Sequence, residues 1–380
     1  MRSLLALGAL LLVFAFAGDA KAYPHFQFSS DTTACNLCHY APAGGGLLTG
    51  WGREEAGDTL SWGGEGAFLH ELIELPDALS MGGDFRGAAM LKDSGTAEGA
   101  ELLFFPMQAD LSARYKAGPI AIAGTVGLRG QARKAELADG SDREEGDIAS
   151  RIVSREHYVE YRPGSSKLSV RAGRFYAPYG LRVADHTSYI RRYLGFNILE
   201  ETYNLSASYL KNESETHMGG HVSDVLVGRD EADVGLTAMH ERRGEKHALG
   251  TSLRVTRQSS QLRALAGTHY KRWFEGPKIL LMAELDAGYQ RFAESSDNSR
   301  MQLAAYAGPV WFPIDGVSTS LAYELFDEDL LVKHVERQAL TSWVSILPRA
   351  HFEILFLGRA ERIGPKEEAL TAMMQLHYYL

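Results

Sequence analysis

A regular alternation of apolar and polar residues runs through most of this chain, from about residue 78 to its last residue. In the stretch ADLSARYK, Leu111, Ala113 and Tyr115 fall on one side, and charged or small polar residues fall on the other. The final residues repeat the pattern, with Leu370 and Tyr378 on the apolar side. Side chains of a β-strand point alternately to its two faces, so this period predicts strands with one apolar face.

The alternating segments number about sixteen, and many are nine to twelve residues long. Soluble strands more often have about five or six residues, whereas a tilted strand that crosses a membrane needs about 9–11. We predict strands at 78–92, 101–116, 119–134, 151–162, 167–175, 201–210, 215–227, 232–242, 246–257, 260–273, 278–292, 300–312, 317–326, 337–347, 350–361 and 369–380.

The connections between these segments tend to alternate between long and short. Long ones include 135–150, 176–200 and 327–336, and tight turns such as Ala117-Gly118 and Pro348-Arg349 lie between them. Short periplasmic turns and long outer loops are typical of outer-membrane barrels. Tyrosines near segment ends suggest an aromatic girdle: Tyr115, Tyr161, Tyr209, Tyr270 and Tyr289. The sequence therefore predicts an all-β protein, a transmembrane antiparallel β-barrel of about 16 strands with both termini on the periplasmic side.

The first 22 residues have the features of an export signal. Arg2 precedes an apolar run from Leu4 to Ala17, and Ala20-Lys21-Ala22 is a small-residue cleavage site. We predict that residues 1–22 are a signal peptide and that the mature chain starts at Tyr23. A formal net charge of −9, without clustered lysine and arginine, argues against nucleic acid as a partner.

The only two cysteines form a Cys-x-x-Cys-His segment near the mature N-terminus: Cys35, Cys38 and His39. This spacing is the attachment signature of c-type haem, in which two thiols bind the porphyrin and the imidazole ligates the iron. A disulfide, a redox-active dithiol and a zinc site that recruits His25 or His70 are the alternatives. Haem c is the cofactor that we predict, with His39 as the proximal ligand.

The sixth iron ligand is open on the sequence alone. His70 lies in GAFLHELIEL, which has a helical period, and Met81 and His25 are the other candidates. Bis-histidine ligation gives a low reduction potential, and methionine raises it. Gly44 to Gly46 would let the backbone approach the porphyrin closely, or would form a flexible linker into the barrel.

The third outer connection, 176–200, is the longest and carries Arg182, Asp185, Arg191 and Arg192. In many porins the third loop folds back into the barrel, and this chain is similar to them in loop order and length. We predict these four residues as a pore constriction, where mixed charges filter solutes. Solvated charges on an outer loop are the alternative. No catalytic constellation stands out, so we predict an electron-transfer or transport protein rather than an enzyme.

As a whole the chain resembles a porin–cytochrome fusion: a Gram-negative outer-membrane barrel with an N-terminal monohaem c-type segment. This resemblance divides the chain into a signal peptide (1–22), a haem-binding segment (23–77) and a barrel (78–380). It implies contact with outer-membrane lipid, and a periplasmic or extracellular redox partner. The haem segment is expected on the periplasmic side or inside the lumen.

The function that this resemblance implies is electron transfer at or across the outer membrane. A solute-conducting porin with a haem-bearing plug for gating or sensing is one alternative. A haem-dependent reductase or peroxidase is another.

Overall fold

The computed structural model describes residues 24–29, 32–93, 95, 99–128, 152–164, 166–197, 200–223, 233–293, 299–365 and 367–380. The predicted signal peptide lies outside these residues, as do the end of the third predicted strand (129–134) and the long connection predicted at 135–150. No helix within the described ranges is long and apolar enough to cross a membrane.

Sixteen strands account for most of the described chain, in agreement with the predicted number. Their bounds are β1 Leu79–Asp93, β2 Glu101–Ala117, β3 Ile120–Leu128, β4 Ile152–Tyr161, β5 Leu168–Phe175, β6 Thr202–Lys211, β7 Ser214–Val222, β8 Val234–Arg243, β9 His247–Arg257, β10 Gln261–Phe274, β11 Ile279–Phe292, β12 Ser299–Ile314, β13 Val317–Asp327, β14 Arg337–Arg349, β15 Phe352–Ile363 and β16 Glu367–Tyr379.

The strands form one closed barrel in which each strand pairs antiparallel with its neighbours in sequence. The last strand closes onto the first, with Asp84 opposite Tyr379 and Asp93 opposite Leu370. Closure gives each of the described strands a paired neighbour on both sides. An even strand number puts both ends of the barrel chain at one rim, which we call the turn end because the short turns lie there; the opposite rim is the loop end.

The alternation in sequence becomes an inside-out barrel. On β9, Leu249, Leu253 and Val255 are exposed on the outer surface, whereas Ser252 and Arg254 are buried in the lumen. The five tyrosines predicted to face outward are all exposed. An apolar exterior around a polar interior is the arrangement that lipid requires and water disfavours.

Two irregular parts of the chain fill the lumen. The first, which we call the plug, comprises residues 24–29 and 32–78 and contains two short α-helices, α1 (Cys35–Cys38) and α2 (Gly50–Asp58). It also has 3₁₀ turns at Pro24–Gln27 and Phe68–Glu71. The second, loop 3, comprises 176–197 and 200–201 and contains α3 (Tyr189–Arg192). The plug enters from the turn end, and loop 3 enters from the loop end.

Candidate functional site

A small hairpin in the plug presents the Cys-x-x-Cys-His segment. The backbone N–H of His39 donates to Cys35 O at 3.1 Å, closing the single turn of α1. Residue 39 then forms an antiparallel bridge with Leu48, and Thr49 N donates to Cys38 O at 2.9 Å. Thr49 also caps α2, accepting a hydrogen bond from Gly52 N at 3.1 Å. These short-range contacts hold both thiols and the imidazole on one compact turn.

Three glycines form the tip of this hairpin, and loop 3 grips it. Gly44, Gly45 and Gly46 all have positive φ, which glycine adopts without strain. Arg182 donates through Nη1 to Ala43 O at 3.1 Å and to Gly44 O at 2.9 Å. A Cβ on Gly45 would lie 3.2 Å from the Arg182 guanidinium. Gly45 therefore permits a close approach to loop 3, and Gly46 permits one to Glu156 of β4, whose carboxylate would lie 2.9 Å from an added Cβ.

His39 is buried, with Nδ1 lying 3.3 Å from the carbonyl oxygen of Gly46. Burial lowers the pKa of His39 to about 4, so the ring is neutral at physiological pH. A hydrogen bond from Nδ1 to a backbone carbonyl fixes the tautomer and leaves Nε2 to ligate a metal, the usual arrangement for a metal-binding histidine.

Both cysteines are free thiols. Burial raises the pKa of Cys35 to about 12 and that of Cys38 to about 11, so both stay protonated. This argues against a reactive dithiol, which needs a lowered pKa. The two thiols and His39 line one cavity of about 240 Å³ that is partly open to solvent.

The lining of the cavity suits an amphipathic cofactor. Phe26, Leu48, Ile190 and Phe196 give it apolar surface for a flat ring. Four cationic side chains also line it: Arg155, Arg182, Arg191 and Lys271. Arg155 pairs with Asp110, and Lys271 pairs with Glu241, so Arg182 and Arg191 are the two that could pair with the carboxylates of a cofactor. The residues present therefore fit a haem held by Cys35, Cys38 and His39.

An ionic cluster of the barrel wall lies beside Cys35. Glu241 accepts from Lys271 Nζ at 2.7 Å and lies 2.9 Å from His269 Nε2. Gln27 of the plug donates to the same carboxylate at 3.2 Å. This contact fixes the plug to β8 and β10 near the attachment segment.

The three candidates for a sixth ligand lie apart from His39. His70 lies at the turn-end rim, 3.3 Å from the Tyr378 hydroxyl, and its ring is 4.4 Å from that of His351. Its segment is not a regular helix, because Leu69 and His70 have positive φ. His25 packs against Trp343 with ring centroids 5.1 Å apart. None of the three candidates lines the cavity that holds His39.

Met81 faces the outside of the barrel. Its neighbour Ser80 points inward, where its hydroxyl lies 2.7 Å from that of Tyr40 in the plug. Gly82, on the other side, also faces the plug, because a Cβ there would meet Leu47. Alternation along β1 therefore turns the Met81 side chain away from the lumen.

Met239 is a residue that sequence reasoning missed. It lies on the lumen face of β8, two residues before Glu241, and is buried. Among the described residues that line the His39 cavity, it is the one methionine. The alternation along β8 already predicts from the sequence that Met239 and Glu241 share one face of the strand. The sequence does not predict that this face lies against the plug. No group of three or more His, Cys, Asp and Glu within the described ranges is placed to hold a bare metal ion.

Loop 3 folds into the lumen, and its four predicted constriction residues have different surroundings. Arg182 holds the glycine hairpin, as described above. Asp185 accepts from Thr187 N at 2.8 Å, and Arg191 donates to Val183 O at 2.8 Å. Both contacts stabilise the loop itself. Arg192 stacks on Tyr193, with 5.4 Å between the guanidinium carbon and the ring centroid.

Buried carboxylates of the wall anchor loop 3. Glu324 accepts from Tyr189 N at 2.6 Å and from Ser188 Oγ at 2.8 Å, at the start of α3. Glu284 accepts from Leu181 N at 2.6 Å. These contacts place the loop across the lumen rather than in solvent above it.

A second cavity of about 850 Å³ lies between loop 3 and the wall of β13 to β16 and β1. It reaches from Lys92 and Glu368 at the loop end to His25 and Glu353 near the plug. Asp185 and Arg192 line it, whereas Arg182 and Arg191 line the His39 cavity. The four residues predicted together are thus divided between two cavities.

The sequence matches no known protein-family profile and no curated protein. Solved structures do resemble the fold. OmpT (in-vitro folded), an outer membrane protein of Vibrio cholerae, has 10% identity, covers 81% of this chain and 100% of that chain, and gives a TM-score of 0.60. Pseudomonas putida OprB has 9% identity, covers 80% and 94%, and gives 0.59.

The outer membrane channel DcaP of Acinetobacter baumannii has 12% identity, covers 80% of this chain and 97% of that chain, and gives a TM-score of 0.54. At these identities the likeness concerns the fold alone. The chain therefore has the fold of an outer-membrane, porin-like β-barrel, with a plug that presents a Cys-x-x-Cys-His turn to the lumen.

Proposed function

We propose that this protein is an outer-membrane β-barrel that carries one covalent haem c in its lumen and transfers electrons at the turn end, which faces the periplasm. The observation that carries the proposal is the shared cavity of Cys35, Cys38 and His39 inside a barrel with an apolar exterior. The outer-membrane fold of the similar structures supports the location.

Each residue of the turn has a defined part in holding the cofactor. Cys35 and Cys38 would form the thioether bonds, and the neutral Nε2 of His39 would bind the iron. The Gly46 carbonyl orients the imidazole through Nδ1. Arg182, which ties the hairpin to loop 3, would pair with a propionate. Haem c, when bound, supplies one-electron redox chemistry.

The wall and loop 3 would shield this haem from bulk water. The plug by itself is too short to bury a porphyrin, but here the lumen supplies the remaining surface. Buried haem edges exchange electrons only over short distances, so the partner must approach the plug. One haem spans only a small part of an apolar band about 25 Å tall. This favours electron exchange at one face of the membrane over electron transfer across its whole thickness.

The test is expression in an outer-membrane host together with a cytochrome c maturation system. Haem staining after denaturing electrophoresis reports covalent attachment. We expect staining of the wild type, its loss in the Cys35→Ala/Cys38→Ala double variant and an altered spectrum in His39→Gln. His240→Gln is the matched control, because His240 bonds Thr216 on the barrel wall away from this cavity. An unstained, correctly folded wild-type barrel would refute the proposal.

A second candidate function is solute conduction. The observation that favours it is the 850 Å³ cavity, which runs along the wall from the loop end to the plug. Planar-bilayer conductance separates the two functions. A haem-loaded barrel that reduces an external acceptor without measurable conductance supports electron transfer alone, whereas a steady conductance that persists in the Cys35→Ala/Cys38→Ala variant supports the porin function.

A further inference from the structure

The turn-end face of the plug carries an exposed apolar patch. Leu72 is 81% exposed, Trp62 is 57% exposed and Ile73 is 53% exposed, and Trp51 and Leu37 are also exposed. These side chains lie on the plug, not on the lipid-facing outer wall. Trp62 N donates to Leu347 O, and the His70 ring packs on His351, so Trp62, Leu72 and Ile73 lie near the same β14–β15 turn. Exposed apolar surface of this kind marks an interaction site.

Carboxylates surround this patch. Residues 32–78 contain seven Asp and Glu residues but only one arginine. Six of the seven are exposed: Glu54, Asp58, Glu65, Glu71, Glu74 and Asp77. The turns of the barrel at the same end are mixed in charge. Their five exposed lysines are Lys116, Lys167, Lys211, Lys246 and Lys278, and their four exposed carboxylates are Glu213, Glu245, Glu275 and Asp315. Lys246 pairs with Glu275, and Lys278 pairs with Asp315.

The acidic excess of the plug limits what can cover the patch. An anionic phospholipid surface would be repelled by the exposed carboxylates, so lipid is disfavoured at the plug. A protein with a lysine-rich rim around an apolar centre is complementary to both features. Electrostatic complementarity of this kind steers association, and the apolar centre supplies the affinity.

The patch is also held in position. Leu69, His70 and Glu71 all have φ between 50° and 61°, a left-handed turn that costs free energy at each residue without glycine. The turn is fixed to the barrel by the His70 contacts with Tyr378 and His351. Strain of this type persists where the surrounding structure holds it, and it often lies at functional surfaces.

We propose that this face of the plug is the docking surface for a small basic periplasmic electron-transfer protein, which binds through its lysine-rich rim and apolar centre. The proposal rests on the proposed function for the electron-transfer role of the partner, but the docking itself needs only the plug surface.

The experiment measures binding of a mitochondrial-type cytochrome c of net positive charge to the full protein in nanodiscs of neutral lipid. We expect binding that weakens with added salt. Glu71→Gln/Glu74→Gln/Asp77→Asn should weaken it about tenfold. Leu72→Ser/Ile73→Ser should weaken it to a similar extent.

Glu213→Gln/Glu245→Gln/Glu275→Gln is the matched control, since it removes three exposed carboxylates from turns at the same end of the barrel. It should change binding less than twofold. Equal loss in both triple variants, or equal binding to protein-free nanodiscs, overturns the docking surface. Binding of wild-type strength by Glu71→Gln/Glu74→Gln/Asp77→Asn also overturns it.

The Cys35→Ala/Cys38→Ala variant separates this proposal from the proposed function. Unchanged binding by that variant supports docking independent of haem. A haem-free wild type that still binds the probe through the acidic triad would refute the proposed function and leave the docking surface standing. A wild-type protein that stains for haem but does not bind the probe would refute the docking surface alone.

Discussion

Glu324 holds loop 3 to the barrel wall, and its replacement tests whether that loop limits passage through the lumen. The buried carboxylate accepts four hydrogen bonds, from Ser188 Oγ, Tyr189 N, Thr341 Oγ1 and Arg359 Nη1, at 2.6–3.0 Å. The first two join loop 3 to β13, and the other two stay within the wall. Glu324→Ala removes both sets together.

The size of the effect follows from these contacts. A hydrogen bond to a charged group contributes about 1.5–3 kcal/mol, so the two loop contacts stabilise docking of α3 by about 3–6 kcal/mol. At about 1.36 kcal/mol for each factor of ten, the undocked population rises by about 10²- to 10⁴-fold. Arg359 loses its partner in the same variant, which destabilises the barrel by about 3–5 kcal/mol.

Single-channel recording in planar bilayers measures the loop effect, and the temperature of the heat-induced gel shift measures barrel stability. We expect Glu324→Ala to open more often to a higher conductance level than the wild type. Glu160→Ala is the matched control, because Glu160 is an equally buried carboxylate that accepts from Arg114 and Ser169 within the wall. It should lower stability without changing conductance.

Identical conductance traces for Glu324→Ala and the wild type would show that loop 3 does not restrict the lumen. An equal rise in Glu160→Ala would trace the effect to general loosening of the barrel. Either result contradicts the constriction predicted for this loop.

Three further predictions concern the plug and its cofactor. Gly316→Ala should displace the Trp62 indole of the plug from the β12–β13 turn, because the new Cβ would lie 2.6 Å from that indole. Increased proteolysis of the plug would report the displacement. Gly118→Ala is the control, because Gly118 also has a positive φ but has open space around it. In the haem-loaded protein we expect Met239→Leu to lower the reduction potential and change the spectrum, since methionine ligation raises the potential, whereas Met81→Leu leaves both unchanged. Burial lowers the pKa of His25 to about 3, so the unfolded plug binds more protons below about pH 6.5, and plug stability should fall by about 2 kcal/mol from pH 6.5 to pH 5. Protease sensitivity against pH should show this fall, and His25→Phe should flatten it; a parallel curve for that variant would contradict the assignment.

The sequence by itself determined the barrel. The alternation that predicts strands also fixes which residues face lipid, and the predicted strand bounds agree with most observed ones to within one or two residues. Hydrophobic period acts locally and needs no knowledge of distant contacts. The alternation of long and short connections then distinguished the loop end of the barrel from the turn end. It could do so because strands that are neighbours in sequence are antiparallel neighbours in the barrel.

The Cys-x-x-Cys-His turn was equally readable, since its three residues act through fixed local spacing. The local pattern could not predict which distant residues contact this turn. The grip of Arg182 on Gly44 joins residues 138 positions apart, and the bond from Gln27 to Glu241 joins residues 214 positions apart.

Only the tertiary structure decided the partners inside the lumen. His70, the first of the three candidates for the sixth iron ligand, lies on the rim against Tyr378. Parity on β1 turns Met81 outward, and parity on β8 brings Met239 to the cavity instead. The physical reason is that barrel closure wraps distant strands around one axis, so inward side chains meet across the lumen irrespective of their separation in sequence.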